Sequence, residues 1–215
     1  MADEATAFIE ALQAGQVCLH PTDSLPGLAF DPRSTVAAEV LARIKGERPG
    51  KSHIGLVRDL AAACRFWQPL PPGWRGILDR FWPGPLSVIY TASPAAPPSL
   101  VLDGAIALRV PDLAEADRWL ALVLEQVGDP LPSTSVNRSG NPPATDYRMA
   151  TGFLRDQPDV FIPPRPFQRP PAAGKPSTLI RLTANGAWTC VRPGRVDPAE
   201  IQRCLQLNQY GENTE

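Results

Sequence analysis

Short apolar segments alternating with amphipathic ones constrain this chain more than any other feature. Gln16 to His20, Ile54 to Val57, the end of the block from Phe81 to Tyr90, Ala105 to Val110 and Leu131 to Ser135 all read as strands. Between them lie helical patterns. Residues 4–14 carry Phe8, Ile9 and Leu12 on one face, with Gly15 as a stop. Ser34 caps a helix with Val36, Val40, Leu41 and Ile44 inward and Gly46 at its end. Asp59 caps a short helix through Phe66, and Pro111-Asp112 opens one with Leu113, Ala116, Leu120 and Leu124 inward. Asp146 to Leu154 is a further helix, and Asp197, Pro198 and Glu200 form a capping box that starts the last one. Strands in alternation with helices predict a single α/β domain. Antiparallel pairing enters through a hairpin: Ser177 to Leu182 and Ala187 to Val191 are joined by Asn185-Gly186. The domain is expected over residues 1–208, with 209–215 as a frayed, flexible tail. Pro163 to Pro176 holds six of the 26 prolines and reads as a loop, because strands resume beyond it.

At 215 residues, with 43% hydrophobic and 20% charged residues, the composition is that of a soluble globular protein. A net charge of −1 gives no general attraction to nucleic acid or anionic membranes, so any polyanion site has to be a local cluster. The acidic N-terminus lacks the features of a signal peptide, and no apolar run approaches the roughly 18 residues that span a bilayer. Cys18, Cys64, Cys190 and Cys204 form no CxxC pair, which favours reduced thiols in the cytoplasm over disulfides or a zinc site.

Chemistry concentrates in a few loops. In LPSTSVNRSG, strand alternation sends Ser133, Ser135 and Asn137 to one face and Thr134 and Val136 to the other. Three short donor/acceptor groups on one side suit phosphate, ribose or an amino-acid head group, although the same residues also form ordinary turns. Pro21 to Gly27 follows a strand's carboxyl end, where open α/β sheets bind ligands. Lys45, Arg48 and Lys51 place three cations within seven residues around Gly46, Pro49 and Gly50, a plausible triphosphate clamp. Basic residues at a helix end also serve as dipole partners. Arg109, inside an apolar strand, needs an anionic partner, which a structural or a substrate carboxylate would supply. Trp82 reads as packing. Walker-type, GxGxxG, GxSxG and HExxH motifs are absent, and neither His20 nor His53 sits in a recognisable triad. Any catalysis is therefore expected to work by orientation and charge stabilisation.

Taken together, these blocks resemble the YrdC-like family, the L-threonylcarbamoyladenylate synthases, in the family's order. HPTDSLPGLAFDP is similar to YPTDTVYGLGCD, KGERPGK to KxRPxxK, FWPGPLSVIY to FWPGPLTLVL, and IALRVPD to VAVRVPD. LPSTSVNRSGNPP resembles PSANxSGxP, and STLIRL…VRPGRVDPAEI resembles STVVDL…LRPGxIxxEEI. The resemblance implies a twisted mixed sheet flanked by helices with a concave ligand-binding face. It also implies an enzyme that makes threonylcarbamoyl-AMP and pyrophosphate from L-threonine, bicarbonate and ATP, for threonylcarbamoyladenosine modification of tRNA by partner proteins. By position, Ser24, Arg109, Ser133 and Ser177 would hold threonine, with Arg109 on its carboxylate. Arg48, Lys51, Ser135, Asn137 and Arg192 would hold ATP. Lys45 and Arg48 would serve catalysis, and Mg²⁺ would come with the triphosphate without a metal site of the protein's own. The sequence departs from the pattern at Pro26, where the family has tyrosine, at Pro143, where it has serine, and in the two residues rather than one that separate Lys45 from Arg48. A paralogue with another acceptor, or a non-catalytic nucleotide- or RNA-binding module with Arg48, Arg109 and Arg192 on a concave face, are the competing readings.

Overall fold

The computed structural model of the chain describes residues 2–48, 51, 53–113, 118–128, 130–166 and 174–211. The helices begin and end at the expected chemical signals. α1 (Ala2–Gln13) ends at Gly15, whose φ of 77° only glycine adopts without strain. α2 (Thr35–Lys45) starts where the Ser34 side chain accepts a bond from the Ala37 N–H, and it stops at Gly46, left-handed at φ 64°. Asp59 and Asp146 cap α3 (Leu60–Phe66) and α6 (Tyr147–Leu154) in the same way. α7 (Pro198–Gly211) is helical to Gly211, two residues past the start of the expected tail, and 212–215 lie outside the described residues. The helix expected from Pro111 is described as α5 (Arg118–Val127); its intended Ala116 lies outside the described residues. α4 (Trp74–Phe81) was not foreseen. Its one buried stripe is Trp74, Ile77, Leu78 and Phe81.

Among the described residues ten strands form one sheet: β1 (Val17–His20), β2 (Gly27–Ala29), β3 (Ile54–Leu56), β4 (Leu86–Thr91), β5 (Val101–Leu102), β6 (Ala105–Arg109), β7 (Leu131–Ser135), β8 (Val160–Phe161), β9 (Thr178–Leu182) and β10 (Trp188–Arg192). Their spatial order is β10-β9-β4-β6-β3-β7-β2-β1-β8, with β5 on β6. Pairing is parallel at β1–β8, β3–β6 and β4–β9 and antiparallel elsewhere. Antiparallel ladders therefore dominate, rather than entering only through the β9–β10 hairpin.

The pleat decides what each face does. Val88, Tyr90, Ile106, Leu108, Ile180 and Leu182 pack against α3, α4 and α7 in one cluster. Val17, Leu19 and Leu28 pack against α2 and α6 in a second. Trp82 belongs to the first, stacked on Trp67 at 5.7 Å and donating to the Leu86 carbonyl at 2.7 Å, so it is a packing residue. On the other face, α1 and α5 cover Cys18, Ala29, Leu56 and Leu131. Beside that covered patch, the intervening residues Ile89, Ala105, Ala107, Arg109, Leu179 and Arg181 line an open cavity. No helix among the described residues is long and apolar enough to cross a membrane.

Candidate active site

The cavity measures about 540 Å³, within the range that holds a small ligand. Ser24, Lys45, Lys51, Arg109, Ser133, Ser135, Asn137, Ser177 and Arg192 all line it, although they come from six separate stretches of sequence. The two-residue alternation works as expected: Ser133 and Ser135 face the cavity with Asn137, while Val136 is buried in the α2–α6 cluster. Thr134, expected on the opposite face, also reaches the cavity lining.

Arg48 does not join them. Gly46 reverses the chain after α2, which turns Glu47 inward and leaves Arg48 exposed and outside the lining. The residue two places after Lys45 is thus a carboxylate. Glu47 accepts from Lys51 at 2.9 Å and lies 4.0 Å from Lys45, with its side chain only 5% exposed. Burial pulls its pKa up, but Lys51, Ser139 and Lys45 outweigh that and hold the carboxylate below its usual value. The expected three-cation clamp is, in the structure, two lysines with a carboxylate between them.

Lys45 lines the cavity, yet its ammonium is directed at protein. Its Nζ donates to the Ser135 carbonyl at 2.7 Å, the Asn137 carbonyl at 3.2 Å and Asn137 Oδ1 at 3.0 Å. Three acceptors match the three donors of an ammonium. Burial pushes its pKa down to about 8, against the opposing pull of Glu47. Asn137 is fixed further, by Ser135 Oγ at 2.7 Å and by its own amide donating to the Asn141 carbonyl at 2.7 Å. Lys45 therefore positions the 135–137 loop.

Arg109 finds its anion in Asp23. Its Nη2 donates to Asp23 Oδ1, its Nη1 to Ser24 Oγ at 2.8 Å, and its Nε to the Gly84 carbonyl at 3.0 Å. Both charged side chains are almost fully buried. Burial pushes the Asp23 pKa up and the Arg109 pKa down, and each charge opposes the shift of the other. A guanidinium has five N–H donors, so these three bonds do not exhaust it. Asp23 Oδ2 is buried without a hydrogen-bond partner. Arg195 Nη1 donates to the Asp23 carbonyl, tying the 21–27 loop to the chain after β10. Arg192 donates to the Ser177 carbonyl at 3.0 Å and to Ser177 Oγ at 3.2 Å, and Ser177 Oγ also meets Ser87 Oγ at 2.9 Å.

Sequence reasoning missed Asp23, Glu47, Arg195 and His20. The first two stand in the quoted HPTDS and KGERPGK blocks, and attention to the cations alone passed over their carboxylates. His20 is fully buried behind Ser133, with Nε2 3.0 Å from Ser133 Oγ and Nδ1 2.9 Å from the Pro21 carbonyl. His53 lines the cavity and packs edge-on against Phe30. The cysteines stand apart as free thiols.

The Sua5_yciO_yrdC family model, described as "Telomere recombination", matches residues 10–194. A threonylcarbamoyl-AMP synthase of Thiobacillus denitrificans is 36% identical over 134 residues, 62% of this chain and 69% of that protein. A putative threonylcarbamoyl-AMP synthase of Mycobacterium tuberculosis is 31% identical over 202 residues, 93% of this chain and 88% of its own length. Among solved structures, E. coli YciO superposes with a TM-score of 0.75 at 24% identity, covering 92% of each chain. P. abyssi Sua5 complexed with L-threonine gives a TM-score of 0.75 at 23% identity; there the match covers 94% of this chain and 57% of the longer protein. With the motif order, the sheet order and the cavity on its open face all in place, the chain belongs to the Sua5/YciO/YrdC family.

Proposed function

We propose that the chain is a threonylcarbamoyl-AMP synthase. It condenses L-threonine with bicarbonate and transfers the product to the α-phosphorus of ATP, releasing pyrophosphate. The observation that carries this reading is the convergence of hydroxyls, an amide and basic groups from six stretches of sequence on one cavity. The threonine nitrogen bonds to the bicarbonate carbon with loss of water. A carbamate oxygen of the product then attacks the α-phosphorus as the bond to pyrophosphate breaks. Both reactants are anions, so the site has to offset their repulsion with fixed donors and cations.

In this reading Ser24, Arg109, Ser133 and Ser177 hold threonine, the remaining donors of Arg109 taking its carboxylate in a planar pair. Lys51, Ser135, Asn137 and Arg192 hold ATP. Arg48 joins them only if the chain around it turns toward the bound triphosphate. Lys45 acts through the loop it holds. Mg²⁺ arrives bound to the triphosphate, since Glu47, a carboxylate of the cavity lining, is already paired with Lys51 at 2.9 Å and lies 4.0 Å from Lys45. The product serves tRNA modification through partner proteins in the cytoplasm.

Pro26 lines the cavity where the family pattern has tyrosine, which favours as a second reading an acceptor other than threonine. One assay separates the two. Purified protein with ATP, Mg²⁺ and bicarbonate is incubated with each amino acid in turn, and pyrophosphate is measured. Release is expected with threonine well above serine and valine. Release with a different amino acid would replace the substrate, and ATP binding without release would refute the catalytic reading.

A further inference from the structure

The hydrogen bonds around His20 fix the direction of a hydroxyl in the cavity. The Pro21 carbonyl, 2.9 Å from Nδ1, can only accept, so Nδ1 carries a proton. The imidazole is fully buried, and among the described residues no carboxylate is a hydrogen-bond partner of it. Burial pushes its pKa down to about 4, outweighing the opposing hydrogen bond to the Pro21 carbonyl and aided by the Arg109 charge, so the ring is neutral and Nε2 is a bare acceptor. Ser133 Oγ, 3.0 Å away, is then the donor. The pocket is tight around this pair. A Cβ on Gly27, the residue paired with His20 across β1 and β2, would lie 2.4 Å from His20 Nε2 and 2.9 Å from Ser133 Oγ.

We infer that His20 is a specificity-determining positioning residue: by accepting the hydrogen bond of the Ser133 hydroxyl it leaves Ser133 only lone pairs to offer the cavity, so a ligand seated there has to supply a hydrogen-bond donor. Threonine offers such donors in its nitrogen and its side-chain hydroxyl. The choice of threonine rests on the adenylation reading; the direction of the Ser133 hydroxyl does not. A ligand that presents an acceptor at this point would face two opposed lone pairs and lose affinity.

Two measurements test this. Nitrogen NMR of the wild-type protein at neutral pH should show His20 with Nδ1 protonated and Nε2 bare. A ring protonated at Nε2, or at both nitrogens, would overturn the inference. Steady-state kinetics then compare His20→Phe, His20→Gln, Ser133→Ala and the double variant His20→Phe/Ser133→Ala. His20→Phe should raise KM for threonine by roughly tenfold with KM for ATP unchanged. His20→Gln, which keeps an acceptor near the Nε2 position, should recover most of the loss. In the Ser133→Ala background, His20→Phe should add nothing. Additive losses, or equal rises in both KM values, would assign His20 a merely structural role and overturn the inference. If His20→Phe does not fold, the NMR result and His20→Gln decide. If the wild type shows no threonine-dependent turnover, the adenylation reading fails; the NMR tautomer still decides the direction of the Ser133 hydroxyl.

Discussion

Arg109→Ala is expected to lower folding stability by about 3–5 kcal/mol, because it strands the Asp23 carboxylate in the interior. Asp23 Oδ1 loses its guanidinium partner, Oδ2 is already unpartnered, and the carboxylate side chain is only 3% exposed. The loop carrying Ser24 loses a second anchor at the same time. A fall in activity of Arg109→Ala would therefore mix loss of threonine contacts with loss of fold. The paired variant Asp23→Leu/Arg109→Met resolves the mixture, since a buried ion pair replaced by apolar groups of similar volume is often near neutral in stability. Chemical denaturation should show the single variant strongly destabilised and the pair largely restored. Pyrophosphate release should stay lost in both. Recovery of activity in the pair would mean that Arg109 does not touch the substrate.

Lys45→Met is expected to act on nucleotide binding rather than on chemistry. Without the ammonium, the Ser135 and Asn137 carbonyls and Asn137 Oδ1 lose their shared donor, at a cost of about 2–4 kcal/mol for the three partly buried acceptors together. The loop that aims Ser135 and Asn137 at the cavity then loses its fixed geometry, and Glu47 keeps Lys51 and Ser139 beside it. KM for ATP should rise by one to two orders of magnitude, with a smaller change in kcat at saturating ATP. A collapse of kcat with KM for ATP unchanged would show instead that Lys45 touches the reacting phosphate. Lys45→Arg should not rescue, since a planar fork cannot place three donors where a compact ammonium does.

These two residues also show what was legible in the sequence. Local chemistry was: Ser34, Asp59 and Asp146 sit at N-caps, Gly46 is left-handed, and Asn185-Gly186 joins two strands. The side of β7 that carries Ser133 and Ser135 followed from a two-residue period. β2, β5 and β8 are two or three residues long, too short for any period to register. Partners distant in sequence were hidden for a different reason. Arg109 was known to need an anion, but Asp23 is 86 residues away, and His20 meets Ser133 across 113 residues. Pairing of that kind is set by sheet order, which local patterns do not encode. After the left-handed Gly46 it is Glu47 that lines the cavity while Arg48 is exposed, and no local pattern encodes which of the two faces inward.

In the proposed reaction one carbon from bicarbonate joins threonine to AMP in this cavity. Incubating the purified protein with ATP, Mg²⁺, L-threonine and isotope-labelled bicarbonate, followed by mass spectrometry of the nucleotide products, tests it directly. The predicted result is an AMP adduct that contains threonine and the labelled carbon, formed in equal amount with pyrophosphate. AMP released without the label, or ATP cleaved to ADP and phosphate, would contradict it.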